Sequence, residues 1–157
     1  MISIRHLTLK RYLLSGLRRY FLMIMMNILP FSFLRIFSLR LAGVRIGRGC
    51  YVGFNVIPDT NYPELIRIGD YVTISHNCTF LTHAQSPVKS RLSKVYNECA
   101  EINIHDGAWI ALGVLVLPGV LVHEDCFIAA GSVVAKSTHA RGWLYAGCPA
   151  TQKRRLL

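Results

Sequence analysis

Histidine offers the clearest acid–base chemistry in this sequence. The chain has six histidines and only eight carboxylates in its 157 residues, and an imidazole exchanges a proton close to neutral pH. His83 lies in the string Phe-Leu-Thr-His-Ala-Gln over residues 80–85, where a regular stretch ends and a longer irregular one begins. Because catalytic groups are often carried on loops beside regular elements, His83 is a candidate general base. A loop histidine without a chemical role is the alternative.

Metal and disulfide chemistry have little support. The five cysteines include no Cys-x-x-Cys pair, and no two histidines are five positions apart. Neither a zinc site nor a disulfide framework is therefore indicated. We expect no bound metal and a reducing, cytoplasmic setting.

Aliphatic or aromatic residues recur every six positions from residue 44 onward. They are Ile46, Val52, Ile68, Ile74, Phe80, Ile104, Ile110, Val116, Val122, Ile128 and Val134. Small or β-branched residues stand four positions after an anchor of this kind, namely Cys50, Val56, Val72, Cys78, Ala108, Val114, Val120, Cys126, Ser132 and Thr138. A period of six matches neither a helix nor a heptad, but it is a multiple of the strand period of two. Both sets would then point into one core shared by stacked coils, which predicts an all-β, parallel β-helix fold rather than a β domain with chance periodicity. Segment 58–67 alone breaks the register, by four residues.

The first third of the chain carries the excess positive charge. Residues 1–48 hold nine Lys and Arg and no acid, whereas residues 49–157 hold nine against eight acids. This distribution does not fit a nucleic-acid-binding stripe across the whole fold. The apolar run 20–29 ends at Pro30 and is too short for a membrane span of about 20 residues. We expect residues 1–43 to form a helical segment at a membrane surface, or packed on its own domain or a sister subunit, ahead of a β-helix domain over residues 44–157.

Three strings carry a resemblance to a known family. Ala-Trp-Ile-Ala-Leu-Gly-Val-Leu-Val-Leu-Pro-Gly-Val over residues 108–120 resembles the W-I-G-x-x-x-x-I-L-P-G-V signature of the hexapeptide-repeat acyltransferases. Residues 128–134 and 146–150 are similar to that family's I-G-A-G-S-V-V and A-G-x-P-A. The similarity covers residues 44–155 and looks like the maltose, galactoside, nodulation-sugar and polysaccharide-biosynthesis O-acetyltransferase branch. It implies a left-handed coil, although parallel crossovers are otherwise right-handed. It also implies acetyl transfer from acetyl-CoA to a hydroxyl of a sugar or saccharide.

The resemblance further implies roles for individual residues. His83 matches the catalytic base, and Asn55 matches an asparagine near the acceptor and the oxyanion, although a turn role would suit Asn55 equally well. The carboxylate that orients the base is left open between Glu98, Glu101 and a residue of a neighbouring subunit. The positions that match a groove for acetyl-CoA are Trp109, Ala130, Gly131, Lys136, Pro149, Ala150, Lys153 and Arg154, with Arg155 beside them. The last three could contact the CoA phosphates or form a solvated tail.

The family also implies a homotrimer with each acetyl-CoA between two prisms. Two other functions are open at this point. One is a structural or interaction β-helix without activity, and the other is a γ-type carbonic anhydrase, which would need a pair of histidines five positions apart. The sequence predicts no nucleic-acid partner.

Overall fold

A computed structural model of the chain describes residues 16, 17, 20, 21, 24, 28–85, 91 and 97–157. Helix α1 spans Ser32–Ala42, and a 3₁₀ turn spans Pro63–Leu65. The described residues 16, 17, 20, 21, 24 and 28 are also helical. The strands are short and are, in chain order, β1 (Arg45–Ile46), β2 (Tyr51–Val52), β3 (Ile57–Pro58), β4 (Ile66–Ile68), β5 (Thr73–Ile74), β6 (Thr79–Phe80), β7 (His83–Gln85), β8 (Asn97–Cys99), β9 (Ile102–Ile104), β10 (Trp109–Ile110), β11 (Leu115–Val116), β12 (Leu121–Val122), β13 (Phe127–Ile128), β14 (Val133–Val134), β15 (Trp143–Gly147) and β16 (Ala150–Arg155).

The strands form the three faces of a prism. Sheet A contains β1, β4, β9 and β12, sheet C contains β3, β6, β11 and β14, and sheet B contains β2, β5, β10, β13 and β15. Neighbours within each of these sets pair in parallel, while β16 pairs antiparallel with β15 at the end of sheet B. Each turn of the chain passes through A, B and C in that order. The predicted parallel β-helix is confirmed.

The core of the prism consists of the side chains at the two repeating positions of the six-residue pattern, the anchors and their small partners. All eleven anchors are at most 9% exposed, and every small partner except Cys50 is buried as well. Residues four apart on short strands joined by tight corners face the same side, so the two sets meet along the axis. Cys78 and Cys126 accordingly fill inward positions as small hydrophobes.

Two irregularities leave the prism at one corner, the edge where sheet C passes to sheet A, here called the C–A corner. Between β3 and β4 the chain makes the excursion 59–65, which contains the 3₁₀ turn and accounts for the break in register. In the next coil the hairpin β7–β8 starts from the same corner, after β6. Because β3 and β6 are neighbours in sheet C, the two excursions lie side by side.

Helix α1 covers the N-terminal end of the prism. Ile36 and Leu39 join the core, and the helix ends at Gly43, whose left-handed φ of 119° suits glycine. The free edge of β2 is satisfied by the helix, since the N–H of Val52 donates to Ser32 Oγ (2.8 Å) and its carbonyl accepts from Arg35 Nε (2.9 Å). Among the described residues no helix combines the length and apolarity needed to cross a membrane.

Candidate active site

Asp59 and His83 form a buried pair at the C–A corner. Nδ1 of His83 lies 2.5 Å from Oδ2 of Asp59, whose side chain is fully buried. The carboxylate can only accept, so Nδ1 carries a hydrogen, and whenever the imidazole is neutral Nε2 is the nitrogen with the lone pair. A pair of this kind fixes the tautomer that a general base needs.

The Asp59 carboxylate accepts four further hydrogen bonds, all from backbone N–H groups. Oδ1 accepts from Asn61 (2.8 Å) and Tyr62 (3.2 Å). Oδ2 accepts from Thr82 (2.9 Å) and from His83 itself (3.2 Å). Burial alone would raise the pKa of Asp59, but the hydrogen bonds from His83, Asn61 and Thr82 outweigh it and hold this pKa below its ordinary value. Asp59 is therefore ionised at neutral pH and stabilises an imidazolium beside it.

The reactive edge of His83 reaches solvent. Its side chain is 23% exposed, and the amide nitrogen of Asn61 lies 3.2 Å from Nε2. The ring of Tyr62 packs edge-on against the imidazole, with the centroids 5.4 Å apart. The excursion 59–65 thus holds the imidazole in place through these contacts, while Nε2 lies where a small polar group can reach it.

Of the carboxylates left open as partners of His83, Glu101 is not the partner. Glu101 pairs instead with Arg67 on sheet A, at 2.6 Å. The side chain of Glu98 lies outside the described residues. Sequence reasoning missed Asp59, although a signal was present, because Asp59 opens the only segment that breaks the six-residue register.

Cys99 lies opposite His83 in the β7–β8 hairpin and is a second group that could do chemistry there. Burial raises the pKa of this thiol, and the negative charges of Asp59 and Glu64 raise it further. A protonated thiol is a poor nucleophile. The geometry therefore favours a base at His83 over a covalent intermediate on Cys99.

A cleft of about 170 Å³ opens near the C-terminal end of the prism. Lys136, Ser137 and Thr151 supply polar groups to its wall, and Ala150 and Tyr145 also line it. Lys136 follows β14, so it leaves sheet C at the C–A corner, as His83 does after β6. With β11 between these strands, the two departures are two coils apart, roughly 10 Å along the axis.

The other candidates for acetyl-CoA binding do not line this cleft. Trp109 stands on sheet B, half exposed, with its ring 4.6 Å from that of Phe127. Ala130 and Gly131 form the edge where sheet B passes to sheet C, here called the B–C corner, and Pro149 lies between β15 and β16. Lys153 and Arg154 project from β16 as exposed side chains.

Asn55 also lies at the B–C corner. Its φ of 54° is that of a tight turn, and its amide donates to Asn77 Oδ1 of the next coil (2.9 Å). The structure therefore joins His83 to Asp59 and Asn61 within one prism, and it places Asn55 at a different corner.

No cluster of three metal-ligating side chains occurs within the part of the chain that the structure describes. Two other histidines there are engaged elsewhere, since His105 Nδ1 contacts Glu124 Oε1 at 3.0 Å and His123 Nδ1 contacts Thr138 Oγ1 at 3.0 Å.

Known proteins resemble this chain in sequence and in fold. No family model matches the sequence. A galactoside O-acetyltransferase of Lactococcus lactis is 35% identical over 97 residues, which cover 59% of this chain and 44% of that protein. A hexapeptide-repeat-containing acetyltransferase of Vibrio cholerae superposes with a TM-score of 0.77 at 24% identity, covering 94% of this chain and 93% of the other. The chain is thus similar in sequence to O-acetyltransferases and shares its fold with hexapeptide-repeat-containing acetyltransferases.

The shared fold supplies the handedness that periodicity leaves open. The hexapeptide-repeat acyltransferase fold is a left-handed parallel β-helix, here preceded by α1. A second crystal structure of a V. cholerae hexapeptide-repeat acetyltransferase, in complex with acetyl coenzyme A, superposes with a TM-score of 0.72 at 21% identity over 99% of this chain and 93% of that one. The chain spans about half the length, or less, of the first curated relatives it matches.

Proposed function

We propose that the protein is an acetyl-CoA-dependent O-acetyltransferase that acts on a hydroxyl of a sugar or saccharide. The observation that carries this proposal is the Asp59–His83 pair at the C–A corner, in which Nδ1 donates to the carboxylate and Nε2 is the nitrogen left to accept a proton. The names of relatives agree with it, since a galactoside O-acetyltransferase is among them. A structural β-helix would have no need of a buried carboxylate held by five hydrogen bonds, one of them from a histidine ring.

In the proposed reaction His83 acts as a general base. Nε2 removes the proton from the acceptor hydroxyl as the oxygen attacks the thioester carbonyl carbon. The C–S bond then breaks, the acetyl group stays on the oxygen as an ester, and the CoA sulfur takes the proton back from Nε2. The Asp59 carboxylate stabilises the imidazolium formed between these steps.

Acetyl-CoA is the proposed donor, and a solved structure of the same fold is a complex with it. Lys136 lines the cleft that lies two coils beyond His83 along the C–A corner, where a donor laid along the prism axis would place its anionic part. Lys153 and Arg154 on the neighbouring β16 remain candidates for the CoA phosphates. No metal has a part in this proposal.

A homotrimer would complete the site. Residues expected near substrates are divided between two edges of the prism, with His83 and Lys136 at the C–A corner and Asn55, Ala130 and Gly131 at the B–C corner. If the C–A corner of one copy meets the B–C corner of its neighbour, both sets line one groove, and a closed three-fold ring yields three equal grooves. Light scattering should then give about three times the chain mass of 17.7 kDa, and an active monomer would contradict the assembly.

We also propose that residues 1–40 touch the cytoplasmic face of a membrane, near a lipid-linked saccharide. Nine basic residues and no acid lie in residues 1–48, and anionic lipid attracts each Lys or Arg near its surface by about 1 kcal/mol.

The test of the catalytic proposal is direct. Purified protein is incubated with radiolabelled acetyl-CoA and a series of galactosides, maltose and cell-envelope saccharides, and label in the acceptor is counted. We expect hydroxyl acetylation of at least one saccharide. Failure with every saccharide and with a cell extract would refute the proposal. Rapid CO₂ hydration on addition of zinc would instead favour a carbonic anhydrase.

A further inference from the structure

The outer side of α1 exposes a group of aromatic side chains. Phe33 and Phe37 lie one helical turn apart on the same face and are 66% and 59% exposed. Phe31 is equally exposed and stacks on Phe33 with the ring centroids 5.7 Å apart. We call these three residues the phenylalanine face. Large exposed aromatic groups of this kind usually mark an interaction site.

The opposite side of the same helix is fixed to the prism. Ile36 and Leu39 are buried in the core. Arg35 is 1% exposed, donates to the carbonyls of Val52 and Leu29, and lies 4.1 Å over the ring of Phe54. The helix is therefore held in a set orientation, and its phenylalanine face points away from the N-terminal end of the prism.

Positive charge adjoins this face. Arg40, one turn beyond Phe37, directs its guanidinium at the carbonyls of Ile46 and Gly47 rather than at an acid. Arg45 on β1 is exposed as well. The helix itself contains no acid, and the acid beside its C-terminal end is Glu64, whose backbone passes close to Gly43. A second copy docked on this face would bring like charges together, whereas an anionic lipid surface would be complementary.

The two ends of the prism differ in what they carry. The Asp59–His83 pair joins the first and second coils, directly behind α1, whereas the cleft with Lys136 and Ala150 lies at the far end. The orientation of the prism relative to a surface therefore decides whether the Asp59–His83 pair or the cleft faces that surface.

We propose that the phenylalanine face inserts into an anionic bilayer, so that the prism stands end-on with His83 towards the lipid and the donor cleft towards water. The inference rests on the membrane contact proposed above, and it specifies the inserting residues and the end that faces the bilayer. An acceptor anchored in lipid would reach His83 from the membrane side, and a soluble donor would enter from the other end.

Quenching by brominated lipid tests the orientation on the full chain. The two native tryptophans, Trp109 and Trp143, lie in the third and fifth coils. With vesicles of phosphatidylcholine and brominated phosphatidylglycerol at low salt, we expect Phe37→Trp to be quenched. Wild type should bind equally well without quenching. Leu157→Trp, at an exposed position of the far end, is the matched control and should also stay unquenched. Quenching of the native tryptophans or of Leu157→Trp would overturn the end-on orientation.

Flotation tests the face itself. Phe33→Ser combined with Phe37→Ser should lower vesicle partitioning at least ~10-fold, because aromatic burial drives interfacial binding, while Leu157→Ser should leave it unchanged. Wild type that stays off anionic vesicles would overturn the proposal. So would a loss of self-association in the double variant, which would identify a second copy as the occupant. Acetyl transfer to a soluble galactoside, measured without vesicles in the same preparations, separates failure of docking from failure of the transferase proposal.

Discussion

Asp59 and His83 are 24 positions apart in the chain, and their side chains meet because β3 and β6 pair in register in sheet C. Each residue follows its strand at the C–A corner, so the stacking of one coil on the next builds the pair. The excursion 59–65 then wraps Asn61 and Tyr62 around the imidazole. The site is thus a consequence of coil stacking combined with one break in the repeat.

Replacement of Asp59 by asparagine tests its role as a positioning residue. The neutral amide of Asp59→Asn would no longer stabilise the imidazolium and would present an N–H₂ group to backbone donors. We therefore expect kcat to fall roughly 10- to 10³-fold with little change in KM for acetyl-CoA. The pH profile of kcat should shift as well, which a merely structural role would not produce. Steady-state kinetics with a circular dichroism check of folding would measure this. An unchanged profile and turnover would remove Asp59 from the mechanism.

Asp59 should also make stability depend on pH. Its pKa is lower in the folded state than the ordinary value of about 3.9 in an unfolded chain, so the unfolded state takes up a proton first as the pH falls. The contribution of Asp59 to the free energy of unfolding is therefore complete above about pH 5 and is lost as the pH drops through the lower, folded-state pKa. We expect the difference between wild type and Asp59→Asn in urea unfolding to shrink as the pH falls below about 4. A difference that keeps growing below about pH 4 would contradict the direction of the shift.

We expect Lys136 to contribute to the binding of acetyl-CoA and not to the binding of the saccharide. Removal of its charge from the cleft in Lys136→Ala should raise the KM for acetyl-CoA roughly 3- to 10-fold, the range of a partly exposed charged contact, and leave the KM for the saccharide unchanged. Arg48→Ala removes an exposed cation from the first coil, where Arg48 pairs with Asp70 at 2.8 Å, and serves as the matched control. Equal effects of the two variants would mean that only the net charge matters.

The inward and outward positions of the repeat should differ in how much they contribute to the free energy of unfolding, whatever the function of the protein. Ile110 is fully buried in the third coil, whereas Ile57 on β3 is 37% exposed. Ile110→Ala should lower the free energy of unfolding by about 2–5 kcal/mol, because it removes buried methyl groups and leaves a cavity, and Ile57→Ala should cost clearly less. Chemical denaturation at one fixed protein concentration compares the two. Equal losses would contradict the inward and outward assignment of the repeat.

The fold could be predicted from the sequence because every six-residue repeat places apolar or small residues at the same two positions. Ile110 and Ala108 occupy the two inward positions of one six-residue repeat, and the same two positions recur down the chain, so one pattern supplies the strand, the corner and the core together. The left hand of the coil was not contained in the pattern and came from the resemblance alone.

The site was predicted less completely. His83 could be singled out because it stands where the repeats stop, but its partner could not. A carboxylate 24 positions earlier is brought to the imidazole only by the register of two stacked coils. Glu101 was nearer in sequence and yet points from sheet A to Arg67. Asn55 remains a prediction, since within one prism it bonds to Asn77 at another corner.

The central claim is that Nε2 of His83 is the base in acetyl transfer, and one substitution tests it. The measurement is kcat for transfer from acetyl-CoA to the best saccharide acceptor in His83→Ala, with acetyl-CoA binding followed separately by calorimetry. His105→Ala, which removes a histidine that follows β9 and is paired with Glu124, is the control. We predict that His83→Ala binds acetyl-CoA as wild type does and loses roughly 10²–10⁴-fold in kcat, while His105→Ala keeps its activity. Turnover near that of wild type in His83→Ala would contradict the account.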